Sequence, residues 1–124
     1  MIKYSIEYPL KSSVKVLYNN LGTASGLGEW FADEVVLKGK NIVFTWDGYP
    51  QEAEVLSKKS NSHIRFSWVD EEDYPYFEFR IVVDEITNDV SLFVTDFVED
   101  EDEMEDAKLL WNKQIDKLKA SIGS

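Results

Sequence analysis

The first residues of the chain alternate strictly between apolar and polar side chains. Apolar residues occupy every second position from Ile2 to Tyr8, with lysine, serine and glutamate between them. A period of two is typical of a β-strand that buries one face and leaves the other in water. The pattern therefore predicts an N-terminal strand, which Pro9 is expected to end.

A short helical region is predicted directly after that strand. Its apolar positions recur at helical spacing: Leu10, Val14, Leu17 and Leu21. Ser12 or Ser13 is placed to cap the first turn, and the run from Asn19 to Gly22 is expected to end the helix. The small residues from 23 to 28 predict a second, shorter helical turn.

The middle of the chain consists of short apolar runs separated by turn residues. Five turn sequences interrupt it, at residues 38–41, 47–50, 58–61, 70–75 and 87–89. Five turns imply six strands, and links this short cannot carry a parallel crossover, so the strands are predicted to form an antiparallel meander. Apolar and polar side chains alternate within several of them, which predicts a sheet with one apolar, aromatic face.

The C-terminal segment has its apolar residues at intervals of three and four: Met104, Ala107, Trp111, Ile115, Leu118 and Ile122. This spacing predicts a long amphipathic helix that covers the apolar face of the sheet, with Asp100 or Asp102 as its cap. The predicted fold class is α+β, in the order β-α-α-β6-α, with a curved antiparallel sheet packed around the last helix. Residues 1–124 are expected to form a single domain.

The charge and composition of the chain limit which partners and which cellular locations are expected. The formal net charge is −11, and seven negative charges fall between Glu99 and Asp106. Nucleic acids and anionic lipid surfaces are bound by clustered lysine and arginine, so neither is an expected partner. No run approaches the roughly 20 apolar residues of a bilayer span, which argues against stable membrane insertion. The absence of cysteine and of a readable signal peptide favours a soluble cytoplasmic protein.

Candidates for catalysis or metal binding are few. His63 is the only histidine and falls on the polar side of a predicted strand. A metal site built from several histidines is therefore not expected, and neither is a catalytic triad in which a histidine activates a nucleophile. The acidic run 99–106 has no glycine where a calcium loop must turn, and it is interpreted as a solvated helix start. No cofactor, metal site or catalytic residue is predicted, and the chain is not expected to be an enzyme.

Short motifs spread over most of the chain carry a family resemblance. They are Ser13-Val14-Lys15-Val16-Leu17-Tyr18, Gly26-Leu27-Gly28-Glu29-Trp30-Phe31, Phe44-Thr45-Trp46-Asp47-Gly48, Arg65-Phe66-Ser67-Trp68, Val94-Thr95-Asp96-Phe97, and Trp111 with Ile115, Leu118 and Lys119. In this order they resemble the START-like, helix-grip superfamily, and within it the family named after the C-terminal domain of the activator of heat-shock-protein ATPase. The chain departs from that pattern in its longer acidic run and in Leu110, where a glycine is expected. A leucine there can fill space that glycine leaves open.

The residues expected between sheet and helix can either line a pocket or fill a core. The candidate ligand-binding residues are Trp30, Phe44, Trp46, Phe66, Trp68, Phe79, Asp96, Trp111 and Ile115. Ligand sites are concave and mostly apolar, but aromatic stripes also serve simply as core. Asp96 shares a strand face with Leu92 and Val94, so its carboxylate must be hydrogen-bonded or paired. It either fixes the start of the last helix or acts as a polar anchor at a cavity mouth.

Three functions from different classes remain open at this stage. The preferred interpretation is a non-catalytic START-like domain that binds a small hydrophobic or lipid-like ligand between sheet and C-terminal helix. The alternative is a protein-interaction or chaperone-regulator-like module with a fully packed core. An enzyme is the third, because some relatives of the resembled fold are cyclases or hydrolases, but only Asp96 and tyrosine hydroxyls offer reactive groups. Homodimerisation through Val69, Val82 or the first strand is a further expectation.

Overall fold

The computed structural model describes residues 1–124, which form one antiparallel sheet and three α-helices. The strands are β1 (Ile2–Leu10), β2 (Glu34–Lys38), β3 (Asn41–Trp46), β4 (Tyr49–Lys59), β5 (His63–Trp68), β6 (Phe77–Val83) and β7 (Val90–Val98). The helices are α1 (Val14–Gly22), α2 (Ala24–Gly28) and α3 (Met104–Ile122), with a 3₁₀ turn at Glu101–Glu103 before α3. This order confirms the predicted α+β fold with its curved sheet and long C-terminal helix.

The strands β2 to β7 form the predicted meander, and β1 returns to pair with β7. The spatial order is β1-β7-β6-β5-β4-β3-β2, with every pair antiparallel. A register shift between Val55 and Ser57 marks a bulge in β4, a feature that bends a strand and increases local twist. The β1–β7 pairing joins the first and last strands and places Tyr4 opposite Asp96.

The end of β1 differs from the sequence-based expectation. The strand continues through Pro9 to Leu10, and these residues pair with Ser91 and Val90. Pro9 was expected to end the strand and Leu10 to begin the helical pattern. Because β1 is an edge strand with β7 as its only neighbour, a missing backbone N–H is tolerated there. Leu10 is buried as a strand residue instead.

Hydroxyl caps start both short helices. The Ser13 Oγ accepts a 3.1 Å hydrogen bond from the Val16 N–H at the start of α1. The Thr23 Oγ1 accepts a 2.9 Å bond from the Gly26 N–H at the start of α2. Each hydroxyl satisfies a backbone donor that has no partner within its helix. The predicted serine cap and the second helical turn are therefore confirmed.

The start of α3 is organised differently from the prediction. Neither Asp100 nor Asp102 makes a side-chain capping bond; Asp100 only precedes the 3₁₀ turn. Glu103 instead reaches back, and its Oε2 accepts a 3.3 Å bond from the Glu99 N–H. The 3₁₀ turn satisfies part of the helix start through backbone bonds, while the surrounding carboxylates face the positive end of the helix dipole. The predicted side-chain cap is wrong, but the acidic helix start is present.

The core lies between the sheet and α3 and is built largely from aromatic rings. Four phenylalanines are almost completely buried: Phe44, Phe66, Phe77 and Phe79. From α3, the side chains of Trp111, Ile115 and Leu118 are buried against them, with Trp111 only 8% exposed. The Trp111 ring lies 5.8 Å from Phe79 and 6.1 Å from Phe31, distances at which aromatic pairs attract. The predicted burial of Trp111 is confirmed.

Removing the Trp111 ring should destabilise the fold strongly. We expect Trp111→Ala to lower the free energy of unfolding by about 3–5 kcal/mol, because a large buried ring is replaced by a void. Chemical denaturation of both proteins measures this. Leu109→Ala, a change on the same helix at a side chain that is 56% exposed, should cost far less. Similar losses in the two variants would contradict the packing of α3 described here.

Candidate functional site

An open pocket lies between one end of the sheet and α3. Its volume is about 290 Å³. Twelve residues line it, eight of them aromatic: Tyr4, Phe31, Trp46, Trp68, Tyr74, Phe77, Asp96, Phe97, Ala107, Leu110, Trp111 and Gln114. We call it the α3 pocket. A largely apolar concavity with a few polar groups has the composition of a small-molecule site.

The sheet side of the α3 pocket is formed where three strands begin or end. Trp46 is the last residue of β3, Trp68 the last of β5, and Phe77 the first of β6. The rings of Trp68 and Phe77 lie 5.0 Å apart, and those of Trp46 and Trp68 lie 6.1 Å apart. The Trp46 Nε1 donates a 2.8 Å bond to the Phe31 carbonyl, which fixes that ring. This wall is therefore held by ring packing and a backbone anchor.

The helix side of the pocket is one face of α3. Ala107, Leu110, Trp111 and Gln114 are three or four residues apart, so they share a face. Leu110 is 65% exposed and forms part of the rim, while Trp111 lies deeper. The position at which the family resemblance implies glycine thus carries a side chain at the pocket edge. Leu110 narrows the opening of the α3 pocket, and aromatic rings line the interior of the pocket.

Asp96 is the only charged residue that lines the pocket, and four donors surround its carboxylate. Oδ1 accepts a 2.8 Å bond from the Phe97 N–H and a bond from the Tyr74 hydroxyl. Oδ2 accepts a 2.9 Å bond from the Trp111 Nε1 and a weaker, 3.4 Å bond from the Tyr4 hydroxyl. These donors come from β1, β7, α3 and the β5–β6 loop. Asp96 is therefore both an anchor for the last helix and a polar group of the pocket, the two roles that the sequence left open.

Burial and hydrogen bonding act on the Asp96 carboxyl in opposite directions. Burial raises the pKa of Asp96 from its ordinary value of 3.8 to about 6, although the bonds from Phe97, Trp111 and Tyr4 lower it. The Tyr74 hydroxyl also stabilises the ionised form. The same burial, and the nearby charge of Asp96, raise the pKa of Tyr4 well above its usual range. Asp96 is thus largely ionised at neutral pH and sits in a poorly solvated place.

The sequence located some of the pocket residues and missed others. Of the nine candidates, Trp46, Trp68, Asp96 and Trp111 line the pocket. The other five lie in the packed core away from its lining: Trp30, Phe44, Phe66, Phe79 and Ile115. Whether those five contact a ligand stays a prediction.

Eight lining residues were absent from the candidate set: Tyr4, Phe31, Tyr74, Phe77, Phe97, Ala107, Leu110 and Gln114. A signal existed for two of them, because Phe77 shares a strand face with Phe79 and Ala107 shares the apolar helix stripe with Trp111. The presence of Tyr4 depends on the β1–β7 register, and that of Tyr74 on the path of a loop. Neither can be read from residue spacing.

The single histidine lies elsewhere, on β5. The His63 Nε2 is 2.8 Å from the Ser57 Oγ, and its Nδ1 is 3.3 Å from the Ser62 Oγ. His63 does not line the α3 pocket. No helix of this chain is both long enough and apolar enough to cross a membrane.

The raised pKa of Asp96 predicts a specific pH dependence of stability. The folded chain holds the Asp96 proton more tightly than the unfolded chain, so the stability contributed by protonated Asp96 is present below about pH 4. It is lost as the pH rises through about 6. The quantity to follow is the free energy of unfolding of the parent minus that of Asp96→Asn. We expect this difference to fall by up to about 3 kcal/mol as the pH rises from about 4 to about 6, since each unit of pKa shift corresponds to about 1.4 kcal/mol.

Denaturation of parent and variant at several pH values between about 3.5 and 7.5 measures this difference. Comparing the two proteins cancels the titration of all other groups. A difference that rises with pH would show that the four hydrogen bonds outweigh burial, and that the Asp96 pKa is lowered on folding.

Comparisons with known proteins agree with this architecture. The protein-family model for the START-like superfamily domain matches residues 1–124. A solved structure from Bacteroides fragilis is 36% identical, with a TM-score of 0.71, and the match covers 97% of this chain and 90% of that one. The search of curated proteins gives no match.

Two further solved structures are similar in fold at lower identity. The Aha1 dimer from Colwellia psychrerythraea has a TM-score of 0.78 and 20% identity, covering 98% of this chain and 96% of that one. An uncharacterised Bacillus thuringiensis protein has a TM-score of 0.82 and 11% identity, covering 99% and 100%. The match of the family model to the whole chain carries the assignment: the chain belongs to the START-like superfamily.

Proposed function

We propose that this START-like domain binds a small apolar or aromatic molecule reversibly in the α3 pocket and catalyses no reaction on it. The observation that carries the proposal is the lining of that pocket, in which eight of twelve residues are aromatic and one is charged. Apolar walls release ordered water when a ligand covers them, and a few polar groups orient it. Aromatic rings fill the core along the rest of the sheet, whereas at this end of the sheet the ring surfaces remain open to solvent.

The volume of the pocket suggests the size of the ligand. At about 290 Å³ it is roughly twice as large as an engineered apolar protein cavity of about 150 Å³ that binds benzene. One ring with a substituent, or two fused rings, fits this space. A long acyl chain would leave much of its length in water, so a compact ligand is favoured within the hydrophobic or lipid-like class.

The polar groups of the pocket support binding rather than catalysis. A general base or nucleophile needs a free lone pair within reach of the substrate. The Asp96 oxygens instead accept bonds from four donors, and the Tyr4 and Tyr74 hydroxyls donate to that carboxylate. The imidazole of His63 lies outside the pocket beside two serines. The groups present are arranged to hold one another in position.

A protein-interaction role is the second candidate, and exposed apolar side chains on the sheet and in the turn after β5 favour it. Val36 and Leu37 on the edge strand β2 are 57% and 71% exposed, and Val69 and Val82 are 47% and 42% exposed. Edge strands can pair with another chain through their free backbone groups. One similar fold is described as the Aha1 dimer. Self-association through such a surface is compatible with ligand binding in the α3 pocket.

Neutral aromatic compounds of one or two rings should stabilise the chain. A ligand that prefers the native state raises the melting temperature with concentration, by an amount that follows its dissociation constant. The change in tryptophan fluorescence should saturate, because three of the four tryptophans line the pocket. Affinity for a neutral ligand should change little between about 50 and 500 mM salt, since screening acts on charges. A broad panel without stabilisation or fluorescence change would favour the packed-core interaction module.

Leu110→Ala should change which ligands bind, because Leu110 narrows the opening. We expect the variant to accept larger two-ring and three-ring compounds at least several-fold more tightly than the parent. Leu109→Ala makes the same change one residue away, at a side chain that does not line the pocket, and should leave ligand preference unchanged. Isothermal titration of all three proteins with a size series measures this. Equal responses would place the binding site elsewhere.

A further inference from the structure

The charge of the α3 pocket is entirely negative. Asp96 is its one charged lining residue, and no lysine, arginine or histidine takes part in the lining. The four donors around Asp96 are neutral groups, so they stabilise its negative charge without cancelling it. An anionic ligand placed beside this carboxylate would therefore meet uncompensated repulsion in poorly solvated surroundings.

The aromatic lining acts in the same direction as this charge. Trp46, Trp68 and Trp111 line the pocket, together with the rings of Tyr4 and Tyr74. The face of an aromatic ring carries partial negative charge and attracts a cation within about 6 Å of its centre, with tryptophan the strongest. Several such rings around one carboxylate are the recurring composition of sites for organic ammonium groups.

A second concavity adjoins the pocket across the shared side chains of Tyr74 and Phe97. It is lined by Met1, Val98 and five carboxylate residues: Glu71, Glu72, Asp73, Glu99 and Glu103. Glu71 is close enough to Asp96 to act on its charge. A cleft in which carboxylates outnumber cationic groups concentrates cations and speeds their association. Glu99 and Glu103 of the acidic run, together with the carboxylates of residues 71–73, therefore lie where they can steer a cation towards the rings.

We infer that the α3 pocket takes a small organic cation: an ammonium centre, ideally a quaternary one, attached to a compact apolar body. The inference rests on the proposed function and names the ligand class of the same site. The apolar body covers the rings, and the cationic centre lies against the tryptophan faces near Asp96. A quaternary centre suits this site because the Asp96 oxygens already have their hydrogen-bond donors and require charge rather than further donors.

A matched set of three one-ring compounds tests the inference on the parent chain at about pH 7.5. Benzyltrimethylammonium is the cation, neopentylbenzene its uncharged isostere with carbon in place of nitrogen, and phenylacetate the anion. The hydrophobic effect alone favours the uncharged isostere. We expect the cation to bind roughly tenfold tighter than the isostere, and the anion to bind weakest, as measured for each compound by direct titration of the tryptophan fluorescence of the chain.

Two variants separate the charge of Asp96 from general effects. In folded Asp96→Asn protein, the ratio of the benzyltrimethylammonium affinity to the neopentylbenzene affinity should fall most of the way to one, and this ratio cancels changes in pocket shape that act on both compounds. Asp89→Asn makes the same change about 20 Å away along β7, at an exposed turn residue outside the α3 pocket, and should keep the preference. Raising the salt concentration should lower the affinity for the cation and leave the affinity for the isostere unchanged, because salt screens the charges of the acidic cleft.

Each outcome decides between the proposals. Tight binding of neopentylbenzene without a preference for the cation overturns this inference and leaves the proposed function standing. No binding of any compound overturns both. The ranking on the parent chain decides the inference even if Asp96→Asn fails to fold, and a cation preference that survives in a folded Asp96→Asn protein also overturns it.

Discussion

The hydrogen bonds that surround the Asp96 carboxylate are the constraint on which this end of the molecule depends. A partly buried carboxylate is tolerated only when donors replace its lost water. Tyr4, Tyr74, Phe97 and Trp111 supply them from four different segments. Moving β1, the β5–β6 loop or α3 would remove a donor from a charge that is largely shielded from water. One side chain therefore fixes how the first strand and the last helix meet the sheet.

The same arrangement explains why a pocket exists at this end. Further along α3, Ile115 and Leu118 are completely buried and the phenylalanines of the central strands fill the space beneath them. At Asp96 the tyrosine and tryptophan rings must present their polar atoms to the carboxylate, which restricts how they can close over the sheet. Rings whose orientation is set by hydrogen bonds have fewer ways of filling the adjacent volume. The α3 pocket is the space that results.

The sequence predicted the fold well because its periodicities are local. Alternation in β1 and the three-four spacing of α3 each identify an element without reference to the rest of the chain. Pro9 and Leu10 were misassigned because only the sheet order reveals that β1 is an edge strand. The site was harder to predict, since Tyr4 reaches Asp96 through pairing between residues 92 positions apart. The apolar pattern identifies the rings on the sheet face that packs against α3, but it does not show which of those rings line the open pocket.

Binding of a cation in the α3 pocket is thermodynamically linked to ionisation of the Asp96 carboxyl. Five groups act on its carboxylate: the Tyr4 and Tyr74 hydroxyls, the Phe97 amide, the Trp111 indole and the Glu71 carboxylate. None of them is a cation, so the ionised form keeps part of its desolvation cost in the free chain. A bound ammonium group would offset that cost, and by reciprocity the ionised form would bind the ammonium more tightly than the protonated form. The feature that weakens the free domain above about pH 6 is, on this proposal, the source of ligand affinity. Function of this kind is a reason to retain a buried carboxylate that packing alone would replace with an apolar residue.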